Sequence, residues 1–214
     1  MELLLHHIHQ ETGVVEFIET SSARYQLPKE SVQKFSDALL SSVLAAILIQ
    51  GDTPETEALL NNYNTQTSNR NTPQSEKTDL TINLLNKLFN NNINTFFSVL
   101  VDNSGFSLDH VQKMTIILSE LFVCQLLRFM ATEKYSISGL LGHLLGERDY
   151  YIDVMPEDII GLLRISSKHS LGQNISADAV VVSNAVRYTL LHEQREKEEA
   201  GKKKSWFQKI FKKD

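Results

Sequence analysis

The chain has 214 residues, 42% of them apolar and 22% charged, with nine glycines and four prolines. That composition excludes collagen-like and wholly disordered polymers, and it is too poor in turn residues for most all-β folds. The net charge of −5 is unevenly placed: residues 202–214 hold six lysines and one aspartate, a surplus of +5, which leaves −10 on the rest. The body therefore repels polyanions, and contact with nucleic acid or anionic lipid falls to the tail.

A single cysteine, Cys124, excludes an internal disulfide and a cysteine-based zinc site. Its apolar surroundings read as those of a small core residue rather than a nucleophile. The opening MELLLHHIHQE has no basic segment, and its apolar run is too short for a secretory signal. The longest apolar stretch, Met114 to Met130, is interrupted by Glu120, Gln125 and Arg128, so it reads as a buried helix rather than a membrane span. These features point to the cytoplasm.

In chain order, Leu3 to Ile18 is loosely helical with Gly13 as its weak point, and Pro28 opens a long apolar helix to about Ile49. Gly51 to Pro54 stops that helix, and a short one follows from Glu55 to about Leu60. Residues 61–78 hold one aromatic and no aliphatic side chain among many Asn, Thr and Ser, which predicts a flexible polar linker. Helices resume over Leu80–Phe89 and Ile93–Val101. After a turn at 102–105, Ser107 caps a long helix to about Met130 that is apolar nearly all round. Ser136 or Ser138 starts a glycine-containing helix, and Pro156 starts another through Ile165. Ser176 caps a last body helix, Ala179 to about Glu199, which Gly201 is expected to break.

Phe17–Gln50 aligns without gaps on Phe96–Phe129 at an offset of 79, with identities at Phe17/Phe96, Val32/Val111, Gln33/Gln112, Lys34/Lys113, Leu39/Leu118 and Leu48/Leu127. In both stretches a turn, a helix start, a long apolar helix and a leucine-rich helix follow one another, the signature of an internal duplication. The stretch Ser98–Lys113, the apolar helix after it, and Ile137–Gly146 (ISGLLGHLLG) resemble the YidB-like bacterial proteins of unassigned function. The resemblance covers about residues 95–150; it implies a helical domain and supplies no catalytic residues. The polar linker, the N-terminal half and the basic tail depart from that pattern.

The chemistry-bearing residues are few. His6, His7 and His9 cluster without a matching second ligand set, so no metal is expected. Gly139, Gly142 and Gly146 do not form a phosphate loop, since no Lys-Ser/Thr follows and no strand precedes them; they read as small residues admitting a close helix contact. His143 lies between leucines and reads as a core or boundary residue. Glu147, Asp149, Asp153, Glu157 and Asp158 read as a solvated acidic stretch. No nucleophile elbow or spaced carboxylate pair stands out, and no cofactor is implied.

The tail is the sharpest local signal. With about 100° per residue, Trp206, Phe207, Ile210 and Phe211 occupy one arc, with Lys209, Lys212 and Lys213 opposite and Lys202, Lys203 and Lys204 ahead. Such a segment has the makings of an interfacial anchor on anionic lipid. Its rivals are a docking peptide for another protein, a segment folding back on the acidic body, and a single-strand nucleic-acid binder, the last the least favoured. The expectation is therefore an all-α protein with two related multi-helix halves packed together (1–60 and 79–200), a linker at 61–78, and a short amphipathic helix at 201–214. Its expected role is that of a non-enzymatic interaction or scaffold protein, self-associating or binding a protein partner. The tail would attach it reversibly to a membrane surface, at the inner face. The alternatives are a docking adaptor and an enzyme using a cleft between the halves.

Overall fold

The computed structural model describes residues 4–68, 73–167 and 170–210, and every regular element among them is a helix. In chain order these are α1 (Leu4–Gln10), α2 (Thr12–Tyr25), α3 (Lys29–Gln50), α4 (Pro54–Ser68), α5 (Gln74–Leu88), α6 (Ile93–Ser104), α7 (Leu108–Thr132), α8 (Ile137–Ile152), α9 (Glu157–Leu162) and α10 (Ala177–Ile210). Where the sequence reads as one loose helix to Ile18, the chain breaks at Glu11 and not at Gly13. Glu11 has extended backbone, and its carbonyl accepts from Val14 and Val15. The break lets Leu4 and Ile8 bury on one side while Val14 and Ile18 bury on another.

The expected duplication reappears in the geometry. At the same offset of 79, α2 and α6 end at Tyr25 and Ser104, and α3 and α7 begin at Lys29 and Leu108. The caps between them, Gln26 and Gly105, both adopt the left-handed conformation, with φ of 54° and 69°. Burial follows the register. Val32/Val111, Leu39/Leu118 and the small polar pair Ser36/Thr115 are all fully inside. The helix contacts exchange under the same correspondence. Helix α1 packs on α7 and α8, and α5 on α3 and α4; α2 packs on α7, and α6 on α3; α3 packs on α8, and α7 on α4. The two halves are thus interlocked about the α3–α7 contact, and one continuous core includes side chains from α1 through α9.

Helices α3 and α7 are long and apolar enough to cross a bilayer. In α3 that apolar stretch is mostly buried, whereas α7 leaves Leu108 and Ile117 exposed.

Two expectations are corrected. The predicted linker at 61–78 is mostly helix: α4 runs to Ser68 and α5 starts at Gln74, with residues 69–72 outside the described ones. Composition misleads here because a surface helix needs only one buried stripe. Thr56, Leu60, Tyr63 and Thr67 supply it at helical spacing. The Tyr63 hydroxyl lies 2.9 Å from Thr81 Oγ1, which joins α4 to α5. The hydroxyls of Thr65 and Thr67 donate to carbonyls four residues back, so their polar groups are satisfied on their own helix. The second correction concerns Gly201. Rather than a body helix followed by a separate short one, α10 continues through Gly201 to Ile210. An interior glycine costs a helix only about 1 kcal/mol, and good helix formers flank it on both sides.

Candidate functional site

The candidate tail residues sit on α10, and two devices in the body fix that helix. The first is its N-terminus. Ser176 caps it, with Oγ accepting from Ala179 N at 3.4 Å. Asp52, in the α3–α4 turn, accepts from Ser176 N at 2.9 Å and from Ser138 Oγ at 2.8 Å. Burial pushes the Asp52 carboxyl up, but the hydrogen bonds from Ser176 and Ser138 outweigh it and hold the group below its ordinary range. The second device is the α8–α10 seam. A Cβ at Gly142 would collide with the Ala179 carbonyl and lie 2.8 Å from Val182 Cβ; one at Gly146 would lie 2.7 Å from Val186 Cβ. Gly142 and Gly146 thus admit the close helix contact expected of them, whereas a Cβ at Gly139 would first meet the Tyr135 side chain, just ahead of α8.

Ala179, Ser183, Val186 and Leu190 bury toward α8, and Leu190 is the last buried residue among the described side chains of α10. The other side of the helix is open: Val181 is 68% exposed and Tyr188 72%. Lys202, Lys203, Lys204, Trp206, Phe207, Lys209 and Ile210 fall within α10, and their side chains lie outside the described residues. Phe211, Lys212 and Lys213 lie outside the described residues altogether. The structure therefore places most of the expected anchor on the same helix as an exposed body stripe.

A second site was not legible as one. His143 and Glu147, four residues apart on α8, are both buried, with His143 Nε2 3.0 Å from Glu147 Oε1. Both carboxyl oxygens lie 3.0 Å from the Leu4 amide, so the pair clamps α1 onto α8. Glu147 thus belongs to the core and not to a solvated acidic stretch; its position one helical turn after an inward-facing histidine was the available signal. His143 lines a cavity of about 340 Å³ with Leu4, Phe129 and Tyr135, and Arg128 and Glu133 are also on its wall. The remaining ring nitrogen, Nδ1, is buried and has no hydrogen-bond partner among the described residues. The cavity therefore does not open onto that nitrogen. An enzyme using a cleft between the halves would have its nearest chemistry here, and in this arrangement the pair acts as a clamp.

The other histidines are not brought together. His7 Nε2 faces Glu11 at 3.5 Å, and His9 Nε2 lies 3.1 Å from Asp37 Oδ1; the His6 side chain lies outside the described residues. Among the described residues no group of three or more His, Cys, Asp or Glu is placed to hold a metal ion. Cys124 is half-buried, and burial pushes its thiol up, away from the reactive thiolate.

No protein family, curated protein or solved structure matches the chain.

Proposed function

We propose that this protein is a non-enzymatic interaction protein that attaches reversibly to an anionic membrane surface through the basic, aromatic end of α10. The supporting observation is the continuity of that helix. It extends twenty residues past Leu190, about 30 Å at the α-helical rise, and carries the lysine- and aromatic-rich segment with it. Aromatic rings seat at the headgroup boundary, and each lysine near an anionic surface adds about 1 kcal/mol. The acidic remainder of the chain is repelled from the same surface, which favours attachment by the tail. Flotation with phosphatidylglycerol-containing vesicles tests this. The full chain floats and a chain ending at Gly201 does not; equal flotation of the two refutes the reading.

A further inference from the structure

Of the large apolar side chains that stand exposed among the described residues, half are on α10: Val180, Val181, Tyr188 and Leu191. Their place on the helix is set by what lies behind it. Ala179, Ser183, Val186 and Leu190 bury toward α8 in a band centred about 180° from Tyr188, at about 100° per residue. Val181 and Tyr188 therefore face directly away from the body. Because α10 is not broken at Gly201, its register carries through to the tail. Position 206 lies eighteen residues, about five turns, beyond Tyr188 and so falls on the same side. Positions 181, 188, 206 and 210 all lie within an arc of about 40°. In the same register, between and beside these apolar positions, the sequence sets basic residues at positions 195, 202, 203 and 209 against acids at positions 196 and 199. A face with apolar positions at both ends and a surplus of cations between and beside them complements an anionic bilayer, not an apolar protein groove.

We infer that the outer face of α10, from Val181 through Tyr188 to Trp206 and Ile210, is one continuous bilayer contact. The helix lies along an anionic membrane instead of touching it with its end alone. This rests on the membrane reading of the tail and adds to it a second contact segment and an orientation. With α8 packed on the opposite side, the body rides on the solvent side of the helix.

The chain has one tryptophan, Trp206, which makes the test direct. The full-length protein and a full-length variant carrying Trp206→Phe and Tyr188→Trp are mixed with phosphatidylglycerol vesicles containing brominated phosphatidylcholine. The expected result is bromine quenching of the tryptophan at position 188 as well as at 206. In a second variant, Val181→Glu with Tyr188→Glu, both changes fall on exposed positions and are compatible with the fold. It should weaken partitioning about tenfold, through lost apolar contact and added repulsion. Quenching at 206 with none at 188, or unchanged partitioning of the glutamate variant, overturns the inference and leaves attachment by the tail standing. Quenching at neither position overturns both and leaves the exposed stripe to a protein partner.

Discussion

Gly142 and Gly146 show how a single atom sets a helix position. With no Cβ, they let the backbone of α8 approach Ala179 and Ser183 of α10, and Val182 and Val186 close over them. Gly146→Val forces that seam apart and is expected to lower the unfolding free energy by about 1–3 kcal/mol, read as a shift in the urea midpoint. Glu147 carries a different kind of load. Glu147→Leu roughly keeps the side-chain volume but leaves the Leu4 amide without its acceptor and His143 Nε2 without its partner. Leaving such buried groups unpaired costs about 1–3 kcal/mol, and amide hydrogen exchange should show α1 opening before the rest. Asp52 sets an acid limit. Its folded pKa lies below its unfolded value, so its contribution is complete above the unfolded pKa, about 3.9, and is lost as pH falls through the folded one. Asp52→Asn should therefore flatten the acid limb of stability against pH below about 4, while wild type loses stability there.

At the scale of the element, α4 and α10 carry the same lesson from opposite directions. Helix α4 is held by a narrow stripe ending in Tyr63 and Thr67, and Tyr63→Phe removes its buried hydroxyl contact with Thr81. Thermal unfolding should show a loss of about 1 kcal/mol. The identity of that stripe was hidden in the sequence, because two of its four members are threonines and periodicity is read from apolar residues. By contrast, the Ser107 and Ser176 caps and the long apolar α3 and α7 were legible, since each rests on a local signal. The Glu11 break and the burial of Glu147 were not, because both depend on which distant helix lies alongside. Gly201 was legible as a weak point but not as a passable one; whether one glycine stops a helix depends on its neighbours on both sides. Gly201→Pro removes a hydrogen bond and kinks α10 at that point. It should reduce helical circular dichroism and uncouple the Val181–Tyr188 face from the tail.

At the scale of the molecule, the duplication makes two interlocked halves, each first helix lying on the other half. The offset of 79 was readable in the sequence, but the exchange of partners was not, because no residue pattern encodes which of two related helices a third will choose. Interlocking has a thermodynamic consequence: neither half can open without exposing the core of the other. Native-state hydrogen exchange should therefore give the slowest amides of α3 and α7 the same opening free energy. Two separate plateaus, one for each half, would contradict this packing. Against that acidic, close-packed body stands α10, held at one end by Asp52 and Ser176 and running on to Ile210. The most direct measurement of the central claim is Trp206 emission in the intact protein, titrated with vesicles. Phosphatidylglycerol vesicles should shift it to the blue, raised salt should reverse the shift, and neutral phosphatidylcholine vesicles should leave it unmoved. An emission spectrum indifferent to anionic vesicles at low salt would contradict the account.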